Sequence, residues 1–414
     1  MIRCDPEQMT RKPRLPDRAL QTQVRDIIDD VRARGDAAVD EYTLRFDGRK
    51  GTDALKPQEI RDAFSSLDRQ TLTDLKEAAA RIEAFARSQM QAAESLRLSG
   101  SGTGSGTTML PINSVGCYVP GGRYPLPSSA LMSVIPARVA GVADITVCTP
   151  KPTPATVVAA SLAGATRILP IGGAQAIAAM AYGTADIPRV EKIVGPGNAY
   201  VTEAKRQVFG EVDIDMLAGP SELMIIADNS AEPSCIAADL LAQAEHDEDA
   251  QVWLVATDDE VISEVTRCLE RQLTALPDTR VARSAMVKAQ VSVVDTDSAV
   301  TIANRIAPEH LELQARNAEA MAARCRAYGS LFIGAWSAEV LGDYCAGPNH
   351  ILPTGGAGAY RGGLSVMDFL AVRTWLRLDE RQAREVLPLA ERLARVEGLD
   401  AHAKAAGRRL RQDP

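Results

Sequence analysis

The stretch S-V-G-C-Y-V-P-G-G-R-Y-P-L-P-S-S-A-L-M-S-V-I-P-A-R-V-A-G-V-A-D-I-T-V-C-T, residues 114–149, decides the fold. A short apolar run is followed by a Gly/Pro turn, a longer apolar segment and a second short run. Strand, turn, helix, strand is the βαβ unit, which makes a parallel pair with a helix laid across it. The pattern repeats as far as residue 228. Strands are predicted at 114–119, 144–149, 167–171, 190–194 and 222–227, and helices at 128–140, 154–163, 173–182 and 197–209. That series gives a mostly parallel sheet covered by helices, an α/β fold. Ser128 and Ser129 are expected to cap the first helix, and Pro136 to bend or shorten it.

The theme returns further along, with strands predicted at 250–256, 289–295 and 329–334 and helices at 258–275 and 297–305. Before it, residues 1–15 carry Pro6 and Pro13 and read as an extended arm. Helical periodicity covers 17–46, with a break at Gly35, and 70–91, where Leu72, Leu75, Ala78, Ile82 and Phe85 form one stripe. The run G-S-G-T-G-S-G-T-T (100–108) has the composition of a flexible loop. From about residue 367 the chain reads as helical to its end. The Leu-, Ala-, Glu- and Arg-rich tail at 380–409 has few partners near it in sequence, and a second copy of the chain is the expected one.

A chain of 414 residues with 46% hydrophobic content supports two or three domains. The net charge of −8 and pI of about 5.3 argue against nucleic acid and anionic membranes as partners. No apolar run is long enough to span a membrane, and the polar N-terminus does not resemble a secretory signal. Seven cysteines without a C-x-x-C pair read as reduced thiols of a cytoplasmic protein.

Three glycine turns, at 119–127, 171–176 and 195–200, each follow a predicted strand and precede a helix. Any one of them is equally an ordinary tight turn. In series they favour a nucleotide crevice at the carboxyl ends of the strands, although none is the G-x-G-x-x-G fingerprint. Tyr118, Gln175 and Asn198 lie at these turns, and Tyr118 is as readily a core residue. Ser221, in A-G-P-S-E, lacks a nucleophile elbow. Cys117 and Cys148 read as small core residues, with addition of the Cys117 thiol to an aldehyde as the alternative.

Only four histidines are present, at 246, 310, 350 and 402, and each stands within seven positions of an acid. In L-L-A-Q-A-E-H-D-E-D-A-Q-V (240–252), Gln243 and His246 share one face of a helix, as half of a metal site or as a plain surface terminus. Glu309 and His310 are neighbours, either an acid–base pair on a turn or an exposed strand edge. The distribution points to metal binding or proton transfer.

Taken together, A-P-E-H-L, Q-A-E-H-D, G-P-G-N-A-Y-V-T-E-A-K, A-G-P-S-E, G-D-Y-C-A-G-P-N-H-I-L-P-T and E-G-L-D-A-H resemble the histidinol dehydrogenase family, in the family's order and over nearly the whole chain. The resemblance implies two Rossmann-like α/β domains of the aldehyde-dehydrogenase type. It places a discontinuous domain at 16–113 and 222–365, a cofactor domain at 114–221, and a helical tail at 366–414 swapped onto a partner in a homodimer. It implies one Zn²⁺ per subunit on Gln243, His246, Asp343 and His402, and proton transfer by Glu309 and His310. Tyr118, Gln175 and Asn198 would contact NAD. Ser221, His350 and Glu397 would contact L-histidinol, together with His310 and the metal ligands. The implied reaction is NAD-dependent oxidation of L-histidinol to L-histidine through L-histidinaldehyde. The alternative is a paralogue acting on another small alcohol, such as a sulfonated diol. The intact ligand and acid–base set argues against a binding module that has lost turnover, and the three-turn crevice disfavours a zinc hydrolase.

Overall fold

The structure is a computed structural model that describes residues 1–12, 17–95, 104–121 and 125–410. Its strands, in chain order, are β1 (Ile2–Arg3), β2 (Ser105–Pro111), β3 (Ser114–Tyr118), β4 (Asp144–Cys148), β5 (Arg167–Leu169), β6 (Lys192–Val194), β7 (Asp213–Ile214), β8 (Glu222–Ala227), β9 (Gln251–Ala256), β10 (Gln290–Val293), β11 (His310–Gln314), β12 (Ser330–Ile333) and β13 (Leu370–Leu376). They form two parallel sheets and one antiparallel ribbon. The sheets have the orders β5-β4-β3-β6-β7 and β1-β10-β9-β8-β11-β12, and the ribbon pairs β2 with β13. The α/β class with mostly parallel sheets is therefore present.

Both sheets are wound in both directions from a central strand. In the first, the connections leave β3 toward β4 and β5 and then return past it to β6 and β7. The strand order reverses between β3 and β6, so the connections diverge there and leave a crevice at the carboxyl ends of the strands. In the second sheet the reversal lies between β8 and β11. β8, E-L-M-I-I-A, is buried along its whole length, as expected for a parallel strand with helices on both faces. Its Leu223 and Ile225 pack with Ile236 and Leu240 of the helix Pro233–Ala244. On the opposite face, Met224 and Ile226 pack with Ala299, Ile302 and Ile306 of the helix Thr296–Ile306.

Several expectations are corrected. Ser128 and Ser129 lie inside the helix Pro127–Ala140, which starts at Pro127 without a side-chain cap and runs through Pro136 unshortened. Residues 105–108 belong to β2, while 100–103 lie outside the described residues. The N-terminal residues up to 12 are not a free arm. β1 adds to the edge of the larger sheet, and Met9 is buried. The remainder of the arm, 13–15, lies outside the described residues, as do 16, 122–124 of the first glycine turn and 411–414.

The segment after 367 is not all helix. A 3-10 turn (Val366–Phe369) leads into β13, and the tail then divides into Glu380–Val396 and Asp400–Leu410. Gly398, at φ +75°, makes the break in a left-handed conformation that costs glycine little. Helices Pro57–Ser66 and Arg280–Lys288 were not anticipated.

Candidate active site

The helix Pro233–Ala244 runs antiparallel to β8, so its last turn returns to the edge of the sheet where β8 begins. Glu222, the first residue of β8, is the hub of that edge. Its N–H donates to the Glu309 carboxylate at 2.8 Å, and its carbonyl accepts from His310 Nδ1 at 3.0 Å. A carbonyl oxygen can only accept, so Nδ1 carries a proton and Nε2 is the ring nitrogen free to exchange one. Among the buried polar atoms, Nε2 has no hydrogen-bond partner. Asp343 Oδ1 stands 3.6 Å from it, and Glu339 Oε1 lies 3.8 Å from Nδ1.

Glu309 and His310 are thus buried in the interior of the sheet, between β8 and β12, and not on an exposed edge. The turn that delivers them passes through Ala307 at φ +50°, a left-handed conformation that a non-glycine residue seldom adopts.

Gln243 is fully buried beside this pair. In the amide orientation that satisfies its surroundings, its N–H donates to Glu339 and its oxygen accepts from the Glu222 N–H at 3.0 Å. The Glu222 carboxylate points away from Glu309. It accepts from Arg11 Nε at 2.8 Å and from the Gly355 N–H at 3.1 Å. On the far side, Ser129 Oγ lies 3.1 Å from His350 Nε2, and His350 Nδ1 donates to the Asp343 carbonyl at 2.7 Å. His350 therefore accepts from Ser129, its tautomer fixed by the second bond.

So many acids in so little volume do not all ionise. Burial pushes Glu309 up to about 8 and Glu339 likewise up to about 8, each partly offset by His310. Burial alone would lower His310, but Glu339, Glu309 and Asp343 outweigh it and raise it well above the ordinary histidine value. Burial also opposes ionisation of Asp343, yet His310, His350 and His246 hold its carboxyl below the ordinary value. Cys117 is wholly buried and its thiol is pushed up to about 12, which excludes it as a thiolate nucleophile near neutrality.

His310, Glu339 and Asp343 offer ligand atoms within 4.8 Å of one another. This trio shares only Asp343 with the set Gln243, His246, Asp343 and His402. Of that set, Gln243 adjoins Glu339, and Asp343 adjoins both Glu339 and His310. His246, one turn beyond Gln243, is exposed and close enough to Asp343 to stabilise its charge. The donors suit zinc, which takes imidazole and carboxylate ligands, and a dication would relieve the local excess of carboxylates. His402 and Glu397 are exposed on the tail, and among the described residues neither bonds to the cluster.

His246 also lines a cavity of about 1010 Å³ at the carboxyl ends of the smaller sheet, shared with Tyr118, Gln175 and Asn198. Tyr118 is buried, and its hydroxyl accepts from the Gly173 N–H at 3.2 Å. The Gln175 amide is buried with neither of its polar atoms bonded, so its hydrogen-bonding capacity remains for a ligand. Asn198 caps the helix Ala199–Val208. Cleft and acid–base cluster therefore meet at His246. Ser221 is half-buried directly before Glu222, and its carbonyl accepts from the Gln251 N–H at 2.9 Å.

Sequence reasoning missed Glu222, Arg11 and Glu339. For Glu222 a signal existed, since a lone acid heads an otherwise apolar buried strand.

A family model described as histidinol dehydrogenase matches residues 10–410. A histidinol dehydrogenase of Rhizobium meliloti (strain 1021) is 49% identical over 396 residues, covering 94% of this chain and 91% of its own. That of Thermus thermophilus is 45% identical over 391 residues, 94% of each chain. The crystal structure of histidinol dehydrogenase from Elizabethkingia anophelis superposes with a TM-score of 0.91 at 36% identity, covering 98% of this chain and 95% of that one.

Proposed function

The chain belongs to the histidinol dehydrogenase family, and from that premise we propose how its residues carry out the reaction. It is an oxidoreductase that oxidises histidinol in histidine biosynthesis. The balanced reaction is L-histidinol plus two NAD⁺ plus water to L-histidine, two NADH and three protons. The observation that carries our reading is the two-point grip of the Glu222 main chain, which holds a carboxylate and an imidazole of fixed tautomer side by side.

Tyr118, Gln175 and Asn198 line the cleft that would hold NAD⁺, which when bound would supply the hydride acceptor. One Zn²⁺ per subunit would supply a redox-silent positive charge there to anchor the amino alcohol. Gln243, His246, Asp343 and His402 of the partner subunit would hold it. His310 would take the hydroxyl proton on Nε2, because Nδ1 is committed to the Glu222 carbonyl and a dication held beside Asp343 would offset the acids that otherwise keep the imidazole protonated. Glu309, poised near neutrality by its burial, takes a proton from water as that water adds to the aldehyde. His310, after giving up its first proton to solvent, would accept the proton of the hydrate in the second oxidation. Ser221, His350 and Glu397 of the partner subunit orient the substrate, and a carboxylate at that position suits an imidazole N–H and repels a sulfonate.

We assign the acid–base and metal residues to a domain of 16–113 and 222–365, the cofactor cleft to 114–221, and the tail 366–414 to a homodimer with shared sites. No helix among the described residues is long and apolar enough to cross a membrane.

The test is stoichiometric. Histidinol consumed to completion is expected to yield two NADH per molecule. Activity is expected to disappear on chelation and return with zinc. A yield of one NADH would reduce the protein to an ordinary alcohol dehydrogenase, and activity indifferent to chelators would remove the metal.

A further inference from the structure

Lys205 and Asp215 are buried to the last few per cent of their side chains, at 2% and 0% exposed, and are paired to each other. Neither touches the acid–base cluster in the hydrogen bonds and ion pairs of the described residues. Desolvating two opposite charges costs about as much as their attraction returns, and an apolar pair of similar volume is commonly as stable or more so. Stability alone gives little reason for a lysine at this depth. Its partners give a better one.

β6 ends at Val194, and the chain enters the turn Gly195, Pro196, Gly197, Asn198 before the helix Ala199–Val208. The Gly195 N–H donates to Asp215 Oδ2 at 2.7 Å, and its carbonyl accepts from Lys205 Nζ at 2.9 Å. One ion pair therefore grips both polar groups of a single peptide position. Gly195 sits at φ +112°, and a Cβ there would meet the Tyr118 carbonyl oxygen at 2.1 Å. The turn is pressed onto the end of β3, next to two of the residues that line the cofactor cleft.

Asp215 also faces the other way. It opens the connection that runs to Glu222, and its carbonyl accepts from Arg361. Arg361 is itself held by Asp368 at 3.1 Å. Thr202, on the helix after the turn, donates to the Ala218 carbonyl in that same connection at 3.1 Å. The cofactor turn and the strand that orients Glu309 and His310 are thus joined through six residues, 216–221, tied down at both ends.

We propose that the buried Lys205–Asp215 pair is a positioning device for the cofactor turn, fixing Gly195–Asn198 against Tyr118 before the nucleotide arrives and setting its distance from the Glu222 hub. The inference rests on the cleft being the NAD site. A nucleotide that must dock twice in each turnover gains from a turn already in its bound form, because no ordering cost is then incurred at each docking.

Lys205→Met keeps the unbranched side chain up to the ε-carbon and removes the charged ammonium. It is expected to raise KM for NAD⁺ by about tenfold or more while KM for histidinol stays within about twofold, and to speed amide exchange in 194–199 of the nucleotide-free enzyme. Asp215→Asn, which keeps the side-chain shape, is read in the same assays if Lys205→Met is recovered unfolded. In the wild type without nucleotide, the Gly195 amide is expected to exchange as slowly as the flanking strands. Rapid exchange there, both KM values unchanged, or both rising together would each overturn the proposal. Asn198→Ala separates the premise from the inference. If it leaves KM for NAD⁺ unaltered, the cleft assignment fails. If it raises that KM while Lys205→Met does not, only the positioning role fails.

Discussion

At the scale of the residue, the division of labour follows from which atoms are already committed. His310 spends Nδ1 on a carbonyl, and Glu309 spends one oxygen on a backbone N–H. Each therefore has one defined direction in which to act. Replacing Glu309 by Gln keeps the acceptor for the Glu222 N–H, so the geometry survives while the base is lost. Oxidation of supplied histidinaldehyde is expected to fall by about 10²–10⁴-fold, and the histidinol-to-aldehyde step by much less, in single-turnover NADH traces. Equal losses in both steps would strip Glu309 of its role with water. The four histidines were legible because they are few and each sits among acids. Arg11 and Glu339 were not, because their importance arises only when β8, β11 and the helix Glu339–Tyr344 meet, a juxtaposition that no local spacing encodes.

At the scale of the element, β11 shows what the larger sheet gives up for its site. Leu311 and Leu313 enter the apolar layer under the helix Thr296–Ile306, so His310, Glu312 and Gln314 alternate onto the opposite face. There they meet Asp239 and Gln243, one helical turn apart on Pro233–Ala244. Two polar stripes are apposed where apolar ones would be cheaper. Glu312 is fully buried with one oxygen unpartnered. Burial, and then Asp239, raise it well above the ordinary carboxyl value, and burial raises Asp239 as well.

The sign follows from which form the fold prefers. A carboxyl whose folded value lies above its unfolded value favours folding while protonated and loses that advantage as pH rises above about 4. Glu312→Gln carries no charge to bury. It is expected to melt about 1–3 °C above the wild type at pH 8, with the gap closing toward pH 4.5. A gap that is constant with pH would show that Glu312 is ionised and satisfied. Elements bounded by proline and glycine, such as Pro154–Ala163, were readable in the sequence with their limits. β13 was not, because its pairing partner, β2, lies more than 250 residues earlier and its own pattern runs into a helix-forming tail.

At the scale of the whole molecule, the tail is left unfinished in a single chain. The helices Glu380–Val396 and Asp400–Leu410 pack on each other, yet Leu389, Leu393 and Val396 are 51%, 53% and 84% exposed along one side of the first. Val372 and Leu376 of β13 are likewise exposed. Covering a Leu or Val side chain is worth roughly 1.5–3 kcal/mol, so such a face favours burial against another surface. The proposed dimer supplies one, and it would bring His402 of the partner subunit to His246. That arrangement makes a prediction that a self-contained site cannot meet. His246→Ala and His402→Ala are each expected to be inactive alone. Co-expressed in equal amounts, they assort at random, and about half of the dimers carry one chain of each kind. In such a mixed dimer one site has lost both ligands and the other has lost neither. The mixture should then recover about a quarter of wild-type activity, the share of intact sites expected from random pairing in a two-fold dimer. Recovery of nothing would mean that each chain builds its site from its own residues alone, and the exposed tail would need a different partner.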